Sequence, residues 1–315
     1  MKKPKISVVM AVYNDEDSVG RVLDGIINQT FQDWEFVIVN DGSDDRTPEI
    51  LEEYAKKDKR IRLFHNKKNM ERCFSRNRAM KEAKGEYIAI NDGDDIPFPE
   101  RLEKEVKYLD KHPECYLVSA RAYLEDDEGN KIGESWGPKE EGDITKELEE
   151  QNRVVHSLIM FRNTGEYQYR DKFLYAQDYD LILQMVADGK EVHMIKDFLL
   201  TYTTRKDLLY DDYLIRQTYS AELARYIFRK KKYEGKDVYE DIDEKNLEKY
   251  VPKQLILEMN MKKEFFSGNF KEARNILKDL MKEDRKSIWK YFYIDSFLRG
   301  NIHKTLKFLK RKILY

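Results

Sequence analysis

Ile6-Ser7-Val8-Val9-Met10-Ala11-Val12, followed at once by Tyr13-Asn14-Asp15, decides the fold. A β-branched apolar run that breaks straight into polar residues reads as a buried strand. The chain that follows has matching punctuation. Val19, Val22, Leu23, Ile26 and Ile27 recur at helical spacing, and Phe36-Val37-Ile38-Val39 is a second buried strand. Thr47-Pro48 opens a second helix, because proline suits the first helical position. Ile61-Arg62-Leu63-Phe64 predicts a third strand, Arg76 to Lys84 a helix ended by Gly85, and Tyr87-Ile88-Ala89-Ile90 a fourth strand. Strands alternating with helices argue for an α/β domain with a mostly parallel sheet, since parallel strands need crossovers of this length. Tyr116 to Ala122 predicts a further strand, Glu125 to Gln151 a loop or hairpin excursion, Ala176 to Ala187 a helix, and Leu199-Leu200 part of a strand.

From about Asp211 the texture becomes helix-compatible throughout, rich in Lys, Glu, Leu and Tyr. The division expected is a domain over 1–208 and a helical region over 209–315. Gly268-Asn269-Phe270 and Gly300-Asn301-Ile302 lie 32 residues apart, a spacing that suits a helix hairpin repeat or a small bundle. Between Asn301 and Tyr315 lie Lys304, Lys307, Lys310, Arg311 and Lys312 with no acidic residue, while Ile302, Leu306, Leu309 and Ile313 recur at helical spacing. A basic amphipathic helix of this kind can rest on an anionic membrane; a capping helix with a solvated basic face fits equally.

The 315 residues are 41% hydrophobic and 37% charged with a formal net charge of -2, so the charges are mixed and nothing points to nucleic acid. Two cysteines, Cys73 and Cys115, imply no disulfide framework and suit a reducing compartment. No run reaches the roughly 18 apolar residues of a membrane span, and no signal run follows Met1. The expected location is cytoplasmic, with peripheral contact on the inner membrane face.

In an open α/β sheet, ligands bind at the carboxyl ends of the strands. There this chain carries Tyr13-Asn14-Asp15, then Asn40-Asp41-Gly42-Ser43-Asp44-Asp45, then Asn91-Asp92-Gly93-Asp94-Asp95. Each acidic cluster alone reads as a turn whose Asp bonds its own backbone. Together they would repel one another, and a cation would relieve that cost. Oxygen ligands suit Mg²⁺ or Mn²⁺, which hold phosphates and so invite a nucleotide diphosphate. A Gly-x-Gly-x-x-Gly turn after the first strand, and a Gly-x₄-Gly-Lys-Ser/Thr loop, are both absent. That excludes the dinucleotide oxidoreductase and P-loop NTPase readings.

Lys5 to Asn14, Asn40 to Thr47, Asn69 through Ser75-Arg76-Asn77, Gly85 to Asp95 and Gln177-Asp178-Tyr179-Asp180-Leu181, in this order, resemble family 2 glycosyltransferases of the GT-A fold. The resemblance covers about Lys5 to Arg205. It implies an inverting, metal-dependent transfer from a nucleotide-sugar donor to a saccharide or lipid-linked acceptor, in cell-surface polysaccharide or glycoconjugate synthesis. It further implies that Ala11, Val12 and Tyr13 line the base pocket, that Asp41 bonds the base, commonly uracil, and that Asn69 and Arg76 contact the nucleotide. Asp92 would bind ribose or donor sugar, Asp94 the metal, and Asp178 would be the catalytic base. His156, beside Ser157, is expected near the acceptor, and Arg205 at a phosphate. The departures are Glu71 where Gly is usual, Gln177 for Glu, Gln184 for Arg, and Asn91 for an apolar residue. The rival reading is a nucleotide-sugar-binding protein or enzyme without glycosyl transfer, acting as an adaptor through its helical tail; intact Asp92, Asp94 and Asp178 weigh against it.

Overall fold

The computed structural model describes residues 3–126, 130–135, 141–173, 175–203, 212–266 and 269–283. It contains two compact units, one of residues 1–206 with 224–242 and the other of 207–223 with 243–315.

The first unit runs β1 (Ile6–Val12), α1 (Val19–Ile27), β2 (Trp34–Asn40), α2 (Thr47–Lys57), β3 (Ile61–His65), α3 (Arg72–Glu82), β4 (Tyr87–Ile90), β5 (Ile96–Pro97), α4 (Arg101–Lys111), β6 (Cys115–Glu125), β7 (Lys131–Glu134), β8 (Gly142–Asp143), α5 (Thr145–Leu148), β9 (Met160–Arg162), α6 (Gln177–Ala187) and β10 (Glu191–Thr203). One sheet has the order β3-β2-β1-β4-β9-β6-β10-β5, with β7 on β6 and β8 on β10. β1 lies between β2 and β4, parallel to both: Ile6 pairs with Trp34 on one side and Tyr87 on the other. β3 continues the parallel run beyond β2.

The buried strands behave as their sequence demands. Every residue of β2 and β4 is buried, because helices cover such a sheet. α1 packs Val19, Val22, Leu23 and Ile26 inward, and α4 packs Leu102, Val106 and Leu109. Burying each such side chain contributes about 1.5–3 kcal/mol.

Two details differ from the sequence reading, in β9 and at the end of α3, while the expected hairpin excursion is present. β9 enters the sheet antiparallel between β4 and β6, pairing Ala89 with Met160 and Leu117 with Phe161; three residues are too few to register as a period. The excursion after Glu125 contains the hairpin strand β7, antiparallel to β6. α3 already ends at Glu82 with an extended Ala83, so Gly85 is not its cap. A Cβ on Gly85 would lie 2.4 Å from the Ser7 backbone nitrogen, and the glycine serves that close approach. Ser7 Oγ accepts from the Gly85 and Lys84 amides and donates to Glu35 Oε1 at 2.6 Å.

The long helix α7 (Asp212–Glu234) contributes to both units. In the second unit a 3₁₀ segment, Glu244–Tyr250, precedes α8 (Lys253–Phe266) and α9 (Phe270–Glu283), which pack together. Ala273, Leu277 and Leu280 bury one face of α9. Asn269 opens that helix: its carbonyl accepts from Ala273, and its side chain donates to Glu264 Oε2 at 2.7 Å. The second copy of the Gly-Asn repeat, the basic segment after Asn301 and Arg205 lie outside the described residues. Among the described residues no helix is long and apolar enough to cross a membrane.

Candidate active site

The loops after β1, β2 and β4 share one edge of the sheet because their strands are parallel neighbours. They are laced together. Asn14 Nδ2 donates to Asp44 Oδ1 at 2.7 Å, and Asn14 Oδ1 accepts from the Asp44 amide. The Asp15 amide donates to Thr47 Oγ1 at 2.8 Å, and Ser18 Oγ donates to the Gly93 carbonyl at 3.0 Å. Asp44 and Asp45 therefore work as turn residues. Burial would raise the Asp45 carboxyl, but bonds from the Thr47 side chain and the Thr47 and Glu16 amides hold it below its usual range.

Asp92 is gripped at both oxygens. Arg76 Nη2 approaches Oδ1 at 2.5 Å, and His156 Nδ1 lies 2.8 Å from Oδ2. Burial opposes the charge, yet the Arg76 and His156 beside it hold the carboxyl well below the usual carboxylate range. The Asp92 amide donates to Ser157 Oγ at 3.0 Å. The His156-Ser157 pair thus holds Asp92 by side chain and main chain, and both ring nitrogens of His156 are engaged, the second with Tyr169 Oη at 2.8 Å. Arg76 keeps a buried Nε–H without an acceptor among the described residues.

Asn91, where the resemblance leads one to expect an apolar residue, staples this loop. Its Nδ2 donates to the carbonyls of Asp92 and Asp95, and its Oδ1 accepts from Arg101. Asp94 is exposed at the tip and Asp95 buried. Asp95 is pushed up to about 8 by burial and then by Asp92 and Asp94, against a bond from Ser157 and the charge of Arg101. Asp15 is pushed up to about 6 by burial and then by Asp94, with Asp45 and Asp92 adding. Gly93 makes this crowding possible, since a Cβ there would meet Asp15 Oδ2 at 2.7 Å.

These carboxyls, raised by burial first and then by their neighbours' charge, are hard oxygen donors of the kind that suits Mg²⁺ or Mn²⁺. Among the described residues no three acidic, His or Cys side chains are arranged to hold an ion by themselves. Asp94 is the carboxylate of this edge whose charge acts on Asp15 most directly.

Asp41 is buried and ties two elements: its amide donates to the Val12 carbonyl, and its Oδ1 accepts from Asn66 Nδ2 and the Met70 amide. Tyr13, 43% exposed, projects from the same edge beside half-buried Ala11. Asn69 is exposed and its Oδ1 accepts from the Glu71 amide. Glu71 has φ +69° and ψ 153°, the backbone that glycine favours, at the position where the resemblance leads one to expect glycine. Asp178, in the first turn of α6, accepts from Asn152 Nδ2 at 3.0 Å. Its charge acts on the Tyr169 phenol, as does that of Asp92. Arg76 of α3, Asp92 after β4, His156 and Tyr169 therefore form one network, on which Asp178 of α6 acts through its charge, while Asp41 bonds separately to Asn66 and Met70. Sequence reasoning gave no role to Tyr169, to Arg101, or to Asp15 as a site residue. Only Asp15 carried a signal, through its place directly after β1.

The chain matches the family model described as Glycosyl transferase family 2 over residues 7–168. It is 35% identical over 248 residues to the uncharacterized glycosyltransferase MJ1057 of Methanocaldococcus jannaschii, covering 76% of this chain and 84% of that one. It is 31% identical over 210 residues to the putative glycosyltransferase EpsE of Bacillus subtilis, covering 65% and 74%. S. aureus TarS 1–349 has a similar fold, with TM-score 0.58 in its UDP complex at 19% identity over 84% of this chain and 72% of that one. In its UDP-GlcNAc complex TarS 1–349 also scores 0.58, at 18% identity over 88% and 81%. The chain belongs to glycosyl transferase family 2, and its fold is the GT-A fold of that family.

Proposed function

We propose that the chain moves a sugar from a UDP-sugar to a hydroxyl of a saccharide or lipid-linked acceptor, with inversion, in the synthesis of a cell-surface polysaccharide or glycoconjugate. The observation that carries this reading is Asp92 fixed between Arg76 and His156, on the edge that also bears Asp41 and Asp94. UDP as the carrier is supported by the complexes in which TarS 1–349 was solved.

The Tyr13 ring and the Ala11–Val12 backbone line the base, Asp41 bonds it, Asn69 and Arg76 meet the nucleotide, and Asp92 takes a hydroxyl of ribose or donor sugar. Asp94, with Asp15 beside it, holds a divalent cation. Such an ion supplies charge stabilisation to the leaving diphosphate. Asp178 removes the acceptor proton as the new bond forms. Direct displacement at the anomeric carbon then inverts it. His156 serves Asp92 rather than the acceptor, because both its nitrogens are engaged. Arg205 is proposed at a donor phosphate, and the basic 301–315 segment on an anionic lipid surface. Loss of flotation with anionic vesicles on deleting 301–315 tests the membrane contact; equal recovery without that segment refutes it.

Screening a panel of nucleotide sugars for donor hydrolysis and transfer, with Mn²⁺ and with chelator, tests the main reading. Turnover of a UDP-sugar only with the ion is the expected result. Cation-independent turnover removes the metal assignment, and nucleotide binding without turnover of any donor favours the adaptor reading.

A further inference from the structure

We propose that Tyr169 is a positioning residue of the donor site: it fixes the tautomer of His156 and, through it, the orientation of the Asp92 carboxylate. The proposal rests on the reading of Asp92 as a donor contact.

Tyr169 is 1% exposed and held hard. Its amide donates to Asn77 Oδ1 at 2.8 Å and its carbonyl accepts from Asn77 Nδ2 at 2.7 Å, so α3 clamps its main chain in both directions. The next residue, Arg170, pairs with the fully buried Asp180 of α6. The guanidinium of Arg76 stands 5.5 Å from the Tyr169 ring centre, and His156 meets that ring edge-on at 75°. A buried tyrosine hydroxyl needs a partner, and here it is His156 Nε2 at 2.8 Å.

The direction of each bond follows from the groups themselves. The Asp92 carboxylate can only accept, so His156 Nδ1 carries the hydrogen that points at Oδ2. In a neutral imidazole Nε2 is then the acceptor, and the Tyr169 hydroxyl is its donor. Burial raises the phenol far above its ordinary value, which keeps that hydrogen in place. Such an arrangement resembles the outer partners that orient ligating histidines at metal sites. The chain Tyr169–His156–Asp92–Arg76 holds the carboxylate at both oxygens and stops it from turning. Pure packing asks less, since Phe at 169 would fill the same volume and keep both Asn77 bonds.

The test uses the full chain in two arms. In the first, ¹⁵N-histidine spectra of the unliganded protein, with the His156 signals assigned by their loss in His156→Gln, should show protonated Nδ1 and unprotonated Nε2. In Tyr169→Phe these should shift toward a tautomer mixture. In the second, UDP-GlcNAc titrations with Mn²⁺ should weaken roughly 3–10-fold in Tyr169→Phe, the scale of one hydrogen bond. They should weaken by no more in Tyr169→Phe/His156→Gln than in His156→Gln alone. Unchanged His156 signals in Tyr169→Phe overturn the proposal, as does a loss that adds in the double variant. If wild type fails to bind UDP-GlcNAc or any other UDP-sugar, the donor reading falls; the first arm, which needs no ligand, still decides the tautomer.

Discussion

Arg101 Nη1 lies 2.8 Å from Asn91 Oδ1 under the acidic loop, while its Nη2 holds the Ile90 carbonyl at 2.7 Å and its Nε faces Glu105 at 3.2 Å. Both charged side chains are wholly inaccessible. Even beside Arg101, burial pushes Glu105 up to about 7. Arg101→Met removes two hydrogen bonds at the end of β4 and one within α4, and strands the Glu105 carboxyl. Breaking a buried pair in this way costs about 3–5 kcal/mol, so urea unfolding should show a loss of that size. Arg101→Met/Glu105→Leu should recover a large part, because two apolar groups remove the stranded charge. A single-variant loss below about 1 kcal/mol would show that the pair is not what holds the loop.

The carboxylates of the site set a pH dependence whose sign follows from their shifts. Asp15 and Asp95 are pushed up to about 6 and about 8, above the roughly 3.9 of an unfolded Asp. The folded state then binds more protons than the unfolded one, so their contribution to stability falls as pH rises from about 4 through 8. Melting temperature should decline over that window, and Asp95→Asn should flatten the decline. Mn²⁺ with UDP should raise the melting temperature more at pH 8 than at pH 5.5, since proton release frees the oxygens an ion takes. Asp94→Ala should abolish that increment. An increment equal at both pH values, or retained in Asp94→Ala, removes the cation from this cluster.

Glu71 occupies a backbone region that glycine favours, with φ +69° and ψ 153°. Strain of this kind costs of order 1–3 kcal/mol, partly offset because glycine loses about 0.5–1 kcal/mol more than alanine on ordering. Glu71→Gly should therefore stabilise the fold by about 1 kcal/mol, whereas Glu71→Ala should gain nothing. Equal unfolding midpoints for wild type and Glu71→Gly would mean that the loop relaxes in solution.

β1, β2 and β4 were legible because a strand buried on both faces leaves an uninterrupted apolar run, and the acidic clusters were legible because they follow those runs directly. Arg101 was not: the sequence shows only a charged residue on a helix, and its burial depends on the end of β4 settling over it. Tyr169 lies in an aperiodic stretch before α6, and its partners Asn77 and His156 come from other elements. β9, although it lies inside the sheet between β4 and β6, was not legible because three residues carry no period. Glu71 is the converse case. The resemblance called for glycine there, and the backbone keeps the glycine conformation although the residue has changed.

Asp178 stands in the first turn of α6, half-buried, with Asn152 Nδ2 on its Oδ2. An acceptor hydroxyl attacks poorly until its proton is removed, and a carboxylate within hydrogen-bond reach can take it. Asp180 is no substitute, since it is fully buried and paired with Arg170. His156 is no substitute either, because Asp92 and Tyr169 occupy both its nitrogens. Asp178→Asn keeps the shape, and its amide oxygen can still accept from Asn152. The fold should lose only the helix-terminus charge interaction, about 0.3–1 kcal/mol. UDP and Mn²⁺ binding should persist, because Asp41, Arg76, Asp92 and Asp94 are untouched. Transfer should fall by about 10²–10⁴, the worth of a positioned base, with the loss in kcat rather than in donor KM. Transfer at near wild-type rate in Asp178→Asn would exclude this residue as the base. A product from wild type with the donor's own anomeric configuration would exclude direct displacement, whichever residue takes the proton.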